Sequence, residues 1–467
     1  MRFWHLTVFL ALVSVMAHAA DSDTDSLRNE IRAMRQAYEG RISALESEIK
    51  DLHTTGATGA LKQETDRRVN AALERSLSGD SSDRSILTTP GNVVHCTSQL
   101  TLGGYTEFTY INRQGSVDQF NQLRTVAQIG AKINDRIHFF AEFEQENGAV
   151  TAGPEATDAE LELEQGYLDF DLAKGISFRA GMVLVPVGRY NLYHEGFVNN
   201  LVDRPLVDRR IIGTTWFDEG AGIHGQPLDT EKLGLSYEMY ILNPCNADEV
   251  SPENGFRDIR LEGKAPHSRK KAAAGRVAFE PARSAKWFAD YLEVGVSGYV
   301  SGFDGFKGEN DVGEVLNLKS GTVDISAFDV TWEKWSGGFR AEAAFAHADS
   351  GATSLAQKQD GWGYYAEGYY KFWPKFLNGT PMSLNFKDPK LVLAARYDWV
   401  DMDRDSADHR NVGRMTVGLG YRPLPNTVFK FDYQYEFSTA NHHGEIFEET
   451  GTGKRTDAYL FSVTTGF

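Results

Sequence analysis

The sequence predicts an all-β fold, a 16-stranded antiparallel transmembrane β-barrel preceded by an N-terminal α-helical coiled coil. Three observations predict it: an export signal at the start, a helical stripe in residues 24–52, and a two-residue alternation of apolar and polar side chains from about residue 98. Aromatic residues make up 12% of the chain, but composition alone also leaves open a secreted all-β enzyme or sugar-binding protein. The net charge of -17 argues against nucleic acid as a partner.

Residues 1–19 are predicted to be a signal peptide. Arg2 supplies the positive start, the apolar run 6–15 is too short to cross a bilayer as a helix, and 17–19 read Ala-His-Ala, a small-x-small cleavage site. The cleavage site is not followed by Cys, so a lipoprotein anchor is not expected. No long apolar run follows, so the sequence predicts no transmembrane helix.

Residues 20–53 are predicted to form a coiled coil. Eight apolar residues recur at spacings of three or four, which places them on one stripe of a helix for about seven turns. One amphipathic helix lying on a core would show the same stripe over fewer turns, so the length favours self-association. Residues 54–97 read as a linker with a second short helix. The stripe consists of Leu27, Ile31, Met34, Tyr38, Ile42, Leu45, Ile49 and Leu52.

The last predicted strand shows the barrel alternation most clearly. Tyr459, Phe461, Val463, Thr465 and Phe467 share one face. Aromatic residues at every second position before a final Phe are typical of the signal by which outer-membrane barrels are recognised for assembly. Phe461 and Phe467 are therefore the predicted assembly signal, with the barrel-assembly machinery as a partner, although an edge strand could end in Phe by chance.

Nearly every other predicted strand carries one apolar face and one charged face. A soluble protein has only one interior, so this pattern predicts apolar residues toward lipid and polar residues toward a lumen. The strand 320–335 changes phase near Ala327, which predicts a β-bulge or a misplaced strand there. The strands are predicted near 98–113, 120–133, 136–148, 159–172, 175–187, 215–226, 231–243, 271–281, 289–304, 320–335, 337–350, 360–373, 389–403, 409–423, 426–439 and 455–467.

The connections between these strands alternate in length. Those after even strands are mostly short and those after odd strands mostly long, as in barrels with periplasmic turns and outer loops. The connection 374–388 is an exception because it is too long for a turn. This order places Cys96 at the periplasmic end and Cys245 in an outer loop, roughly 25 Å apart, which excludes a disulfide between them.

Sixteen strands leave a water-filled lumen. Its predicted lining carries both charge signs, and opposite charges across a lumen set up a transverse field that suits small hydrophilic solutes. The basic positions are Arg124, Lys132, Arg179, Arg276, Arg340, Lys371, Arg396, Arg414 and Lys430, and the acidic ones are Glu107, Glu142, Glu144, Asp169, Glu238, Glu293, Glu367, Asp398 and Asp432.

Five short segments resemble the phosphate-selective porin O and P family of the outer membrane. They read LGGY at 102–105, KINDRI at 132–137, GYLDF at 166–170, RAGM at 179–182 and PVG at 186–188. The resemblance implies a homotrimer in the outer membrane of a Gram-negative bacterium, with the coiled coil in the periplasm and membrane lipid around the barrel. It further implies a channel for passive diffusion of small hydrophilic solutes, with a preference for anions such as phosphate.

In such porins the third outer loop commonly folds inward and narrows the channel, so the resemblance implies a constriction at 188–214. This loop contains Arg189, Arg204, Arg209 and Arg210. Arginine binds oxyanions through its planar fork, so these side chains would favour phosphate, sulfate or carboxylate solutes. The same arginines could instead pair with acidic groups and pin the loop, and the sequence leaves both interpretations open.

The sequence predicts no catalytic residues, no metal site and no cofactor. Residues 401–405 read like the start of a Ca²⁺ loop, but Ser406 and Val412 stand where that loop needs Gly and Glu. We expect an acidic outer loop that binds divalent cations weakly together with lipopolysaccharide. Two further functions remain open, the barrel sheath of a cytochrome electron conduit and an adhesin or scaffold acting through 21–95.

Overall fold

The computed structural model describes most of the chain from residue 100 to residue 467, the part predicted to form the barrel. The predicted signal peptide 1–19, coiled coil 20–53 and linker 54–97 lie outside the described residues. In the part of the chain that is described, no helix has the length and apolar character needed to cross a membrane. The described residues are 100–148, 160–245, 250, 255–260, 269–281, 285, 287–303, 307–309, 315–317, 321–349, 358–404, 411–438 and 455–467.

Sixteen strands of the described chain form a closed antiparallel barrel, which confirms the barrel part of the predicted fold class. A separate two-stranded hairpin, β10 and β11, lies in the connection between β9 and β12. The strands are β1 Leu100–Arg113, β2 Gln119–Lys132, β3 Ile137–Glu146, β4 Glu160–Ala173, β5 Ile176–Leu184, β6 Phe217–Asp229, β7 Gly234–Leu242, β8 Ala272–Glu280, β9 Tyr291–Phe303, β10 Lys307–Glu309, β11 Val315–Asn317, β12 Gly321–Lys334, β13 Gly337–Asp349, β14 Lys358–Phe372, β15 Lys390–Asp401, β16 Asn411–Leu424, β17 Thr427–Phe437 and β18 Arg455–Gly466.

The barrel closes where the first strand meets the last. β1 pairs with β18 from Tyr105 opposite Gly466 to Arg113 opposite Ala458. The backbone N–H of Phe467 donates to the carbonyl of Gly104 at 3.0 Å, which extends this ladder by one residue. Closure satisfies the backbone groups that an open sheet would leave unpaired at its two edges.

The side-chain alternation is inverted relative to a soluble protein. On β17 the ring of Phe431 is 52% exposed, whereas its neighbours Lys430 and Asp432 are 1% and 0% exposed. Burying charges while exposing rings is unfavourable in water but is the arrangement of a barrel with an apolar outer wall. On this strand the structure therefore places polar residues inside and apolar residues outside, as the alternation predicts.

The connections differ in length between the two ends of the barrel. Two-residue turns at 174–175, 335–336 and 425–426 define the short-turn end, and connections such as 185–216 and 243–271 define the long-loop end. The long connection that follows β14 belongs to the short-turn end. It contains a 3₁₀ turn, Lys375–Leu377, and is held to β16 by the Tyr421 hydroxyl, which donates to the Met382 carbonyl at 2.6 Å.

The predicted bulge near Ala327 is wrong. β12 pairs with both β9 and β13 in one continuous register over its described length. The phase change arises because Val323, Ile325 and Ala327 face inward and are buried, whereas Phe328 faces outward. The apolar residues thus switch from the inner to the outer face along an unbroken strand, so the inner wall is apolar toward the long-loop end.

Candidate functional site

The third long-loop connection, residues 185–216, folds into the barrel and is called the third loop below. It contains a one-turn helix, Arg189–Leu192, and a π-helical turn, Asp208–Ile212. The buried Asn191 side chain joins the two ends of the loop. Its Nδ2 donates to the carbonyls of Val185 and Trp216 at 2.8 and 2.9 Å, and its Oδ1 accepts from the Trp216 N–H at 2.8 Å.

A second inward segment comes from the connection 243–271. Phe256 and Ile259 are fully buried, and the Phe256 N–H donates to the Arg210 carbonyl of the third loop at 2.8 Å. The guanidinium of Arg260 donates to the Thr215 carbonyl. Cys245 is buried at the start of this connection, and Cys96 lies outside the described residues. The sequence prediction did not include this segment, although its apolar residues Phe256 and Ile259 were a signal for it.

The two segments pack on the apolar part of the inner wall to form what we call the lumen plug. Its buried side chains form one cluster, in which alanines on β8, β12 and β13 allow close approach of the loops. The plug consists of Val183, Val185, Val187, Leu206, Val207, Ile211, Ile212, Trp216, Tyr240, Leu242, Cys245, Val250, Phe256, Ile259, Ala272, Ala274, Tyr299, Val323, Ile325, Ala327, Ala344, Ala346, Ala348, Tyr365, Val400, Met402 and Val412.

Basic residues of the inner wall bind backbone carbonyls of the third loop. Among the described residues, four basic side chains on β15, β16 and β17 do so: Arg396, Arg414, Arg422 and Lys430, with Arg414 Nη1 3.5 Å from the Arg204 carbonyl oxygen. Lys430 donates to the carbonyls of Gly196 and Leu201 at 2.9 and 3.1 Å, Arg396 to those of Asp203 and Arg204 at 3.0 and 3.3 Å, and Arg422 to those of Phe197 and Asn199 at 2.6 and 3.0 Å.

Acidic residues of the wall bind backbone N–H groups of the same loop. The Glu342 carboxylate accepts from the Arg189 and Tyr190 N–H groups at 2.9 and 3.2 Å. Asp398 accepts from the Leu206 N–H at 3.1 Å, and Asp432 from the Val202 N–H at 2.6 Å. The mixed signs of the predicted lumen lining therefore match the two kinds of backbone group that the loop presents.

The four arginines of the third loop occupy different environments. Arg189 Nε donates to Glu293 Oε1 at 3.2 Å, and its guanidinium lies 4.4 Å from the Tyr193 ring centroid. Arg204 Nη1 donates to the Thr214 carbonyl at 2.6 Å. Arg209 is half-buried and Arg210 is buried. The contacts of Arg189 and Arg204 match the interpretation in which these residues pin the loop.

Burial acts differently on two carboxyl groups of the third loop. It raises the pKa of Asp208 well above the ordinary value, and the neighbouring Glu342 raises it further. Burial also disfavours the charged form of Asp203, but Arg414, followed by Arg209 and Arg113, lowers its pKa below the ordinary value. Asp203 Oδ2 lies 3.6 Å from Arg414 Nη1. The loop thus carries one carboxyl whose pKa is raised and one whose pKa is lowered by an arginine partner.

The more open part of the inner wall lies toward the short-turn end. Arg179 binds Asp169 through two hydrogen bonds of 2.7 and 2.9 Å, and His224 Nε2 lies 3.1 Å from the same carboxylate. The Arg179 guanidinium also stacks 3.8 Å from the Tyr167 ring centroid. His138 Nε2 lies 3.2 Å from Asp171 Oδ2 in a half-exposed pair. This wall presents opposite charges to the solvent-accessible interior.

The other residues predicted to line the lumen are placed as follows. Arg396, Asp398 and Lys430 face inward but lie beneath the third loop. Arg124 and Glu142 are buried in the wall, with Arg124 Nε 3.1 Å from Glu107 Oε2 and Glu142 bound by Gln128 and Gln165. Lys132 lies at the short-turn end, 2.9 Å from Asp135. Phe461 faces outward on β18, and Phe467 is exposed.

Comparisons with known proteins extend the description of the fold. No protein-family model matches the chain. An uncharacterized protein of Aquifex aeolicus is 33% identical over 215 residues, which are 45% of this chain and 46% of the relative. The match therefore spans about half the length of that protein.

Several solved barrels have a similar outline. The anion-selective porin from Comamonas acidovorans shares 8% identity at a TM-score of 0.49, over 79% of this chain and 99% of that one. The Salmonella typhi OmpF complex with daunomycin shares 14% at 0.48, over 82% and 100%. The outer membrane channel DcaP of Acinetobacter baumannii shares 10% at 0.47, over 79% and 97%. These low identities transfer no function to this chain.

Proposed function

We propose that this protein is an outer-membrane porin, a trimer-forming channel for passive diffusion of small hydrophilic solutes in a Gram-negative bacterium. The single observation that carries the proposal is the closed sixteen-stranded barrel with an apolar outer wall and a charged inner wall. The apolar wall suits lipid, and a barrel of this size has an interior wider than its own wall side chains can fill. A soluble enzyme or binding protein would not require exposed apolar side chains outside and buried charged side chains inside.

The proposed orientation places the short-turn end in the periplasm and the long loops outside the cell. The difference in connection length between the two ends supports it, because outer-membrane barrels have short periplasmic turns. The predicted coiled coil 20–53 would then lie in the periplasm. We propose that it stabilises the trimer.

The proposed solute path runs between the third loop and the more open wall that carries Arg179, Asp169 and His224. The contacts of the loop with the wall support a fixed constriction rather than a freely moving loop. Paired opposite charges beside the path favour polar solutes over apolar ones. A mild anion preference is part of the proposal, and the guanidinium group of Arg179 beside the path supports it.

Single-channel recording in planar bilayers tests the proposal. Purified, heat-modifiable barrels should give ohmic current steps, grouped in threes if the protein is a trimer. Correctly folded protein that gives no ion-sized steps would show that the chain is not a porin. The reversal potential in a KCl gradient gives the selectivity, and a shift toward cations would remove the anion preference.

The role of the third-loop arginines is tested separately. An Arg204→Ala, Arg209→Ala variant should lose anion preference if these side chains face the solute. Unchanged anion selectivity would instead assign both residues to loop positioning, and the hydrogen bond from Arg204 to Thr214 favours that result for Arg204. Lys132→Ala is a suitable control because Lys132 lies at the turn beside Asp135, away from the loop.

The electron-conduit alternative is not favoured by the structure. A barrel that sheaths a cytochrome must leave room for a second protein. Here the third loop and residues 255–260 occupy part of the interior and pack on the wall. The adhesin or scaffold alternative depends on 21–95, which lies outside the described residues, and remains a prediction.

A further inference from the structure

Two glutamates and a histidine meet where the third loop contacts the barrel wall. Glu144 lies on β3, Glu164 on β4 and His194 in the third loop, two residues after its one-turn helix. One donor atom from each lies within 4.8 Å of the other two. The side chains are buried, with exposed fractions of 3%, 2% and 2% respectively.

A β-bulge brings Glu164 into this group. The register between β3 and β4 shifts so that Glu142 pairs with Gln165 and Phe143 pairs with Leu163. Glu164 is the extra residue between these two pairs. A bulge redirects the side chain of its extra residue, so Glu164 points inward beside Gln165 instead of following the alternation outward.

The imidazole of His194 is held with one particular nitrogen toward the carboxylates. His194 Nδ1 lies 2.9 Å from the Asn191 carbonyl oxygen. A carbonyl oxygen only accepts, so Nδ1 carries the hydrogen and donates it. In the neutral ring Nε2 then presents a lone pair, 2.8 Å from Glu164 Oε1. A backbone carbonyl that orients the ring in this way is the usual outer partner of a metal-binding histidine.

The facing carboxylate oxygens are incompletely partnered. Oε2 of Glu164 and Oε2 of Glu144 accept no hydrogen bond among the described residues, and Oε1 of Glu164 faces Nε2 of His194 at 2.8 Å. Buried carboxylate oxygens in this condition are costly unless a cation neutralises them. Arg124 compensates only in part, since its Nη1 lies 3.9 Å from Glu144 while its Nε binds Glu107 at 3.1 Å.

We propose that Glu144, Glu164 and His194 bind one divalent transition-metal ion that fastens the third loop to the barrel wall. Imidazole with carboxylates suits Zn²⁺ or Mn²⁺ better than Ca²⁺ or Mg²⁺, which prefer oxygen ligands alone. Zinc bonds of about 2.0–2.2 Å at tetrahedral angles place two donor atoms roughly 3.3–3.6 Å apart. The donor atoms here lie within 4.8 Å of one another, so the three side chains would need to close by up to about an ångström around the ion.

The ion would have a positional role. Two of its ligands belong to adjacent strands and the third to the loop, so binding joins elements distant in sequence. Because the site is buried, we expect the ion to enter as the loop folds into the barrel and to exchange slowly afterwards. The proposal rests on the fold and not on conduction, so zinc binding and channel activity can fail independently.

The test is zinc binding to the full-length protein. The barrel is refolded in detergent with Zn²⁺ alone, passed over a chelating column and analysed for metal content, with heat-modifiability on gels as the folding control. A His442→Asn, His443→Asn background removes a vicinal histidine pair that could itself bind zinc. We expect one Zn²⁺ per chain, and a visible d–d absorption band when Co²⁺ replaces it.

Ligand variants decide between a metal and a proton. His194→Gln, Glu164→Gln and Glu144→Gln should each weaken Zn²⁺ binding more than tenfold, whereas His224→Gln should not change it because His224 faces Asp169 elsewhere on the wall. Folded wild-type barrels without stoichiometric zinc would overturn the proposal. So would equal zinc affinity in wild type and the ligand variants that fold. In either case Glu164 and His194 would be an ion pair that shares a proton.

Discussion

Replacing Lys430 with methionine should release the middle of the third loop from the wall. Lys430 is 1% exposed, and its Nζ lies 2.9 and 3.1 Å from the carbonyls of Gly196 and Leu201 and 3.7 Å from Glu107 Oε1. Methionine preserves most of the apolar stem. Lys430→Met therefore removes the charge and both hydrogen bonds with little change in packing volume.

The expected size of the effect follows from these contacts. A hydrogen bond involving a charged group contributes about 1.5–3 kcal/mol, and removing one partner of a buried ion pair costs about 3–5 kcal/mol. The contacts overlap, so we take about 3–5 kcal/mol as the loss in free energy of loop docking. Since each 1.4 kcal/mol is a factor of about ten, the undocked fraction should rise roughly a hundred- to a few thousand-fold.

Limited proteolysis of folded barrels in detergent measures this fraction, and single-channel recording reports it as open-channel current noise. Lys371→Met is the matched control. Its side chain is 39% exposed and lies 3.9 Å from Glu333, a contact worth about 1 kcal/mol or less. If Lys430→Met resists protease as well as Lys371→Met and the wild type, the wall charges do not hold the loop.

Three further predictions follow from the lumen plug and the open wall. The pKa of Asp208 is raised in the docked loop, and the charged groups facing it are Glu342, Arg396 and Asp398. The free energy that Asp208 contributes to docking is therefore full below its unfolded pKa and is lost as pH rises through its folded pKa. Asp208→Asn should therefore dock better than wild type at alkaline pH, and identical protease resistance between pH 5 and 9 would contradict this. Phe256→Ala should cost about 3–5 kcal/mol in the docking of residues 255–260, measured by proteolysis, whereas the outward-facing Phe279→Ala should have little effect on docking. Arg179→Gln should shift the KCl reversal potential toward cations and Asp169→Asn toward anions, and two unchanged potentials would place this pair off the solute path.

The barrel itself could be predicted from the sequence because the strand pleat imposes a period of two. The alternation of Phe431 and Tyr433 with Lys430 and Asp432 is visible without any tertiary information. Turn residues between such segments then fix the strand count and the two classes of connection. These are local properties, and each strand repeats them independently.

The partners of the inner charges could not be predicted in the same way. Lys430 and Asp432 read as lining for a water-filled lumen, yet they bind backbone groups of the third loop more than two hundred positions away in the sequence. An inward-facing charge has the same local pattern whether it meets water or a loop. The phase change on β12, interpreted as a bulge, was the available signal, because apolar inner positions indicate that something packs on them.

The cluster of Glu144, Glu164 and His194 was missed for a related reason. Glu144 was recognised as an inward residue, but Glu164 faces inward only because of a bulge that the alternation does not reveal. His194 reaches the pair only because the third loop folds into the barrel. A ligand set assembled from a bulge and a loop has no characteristic spacing in the sequence.

Beside the side-chain packing of the lumen plug, the wall binds many peptide groups of the third loop. Lysine and arginine bind its carbonyls, and glutamate and aspartate bind its N–H groups, so these anchors do not depend on which side chains the loop carries. The path of the loop and the chemistry it offers to a passing solute are therefore separable. Exposed loop positions such as Tyr193 can be exchanged, in evolution or by design, to retune permeation while the loop keeps the same course through the barrel.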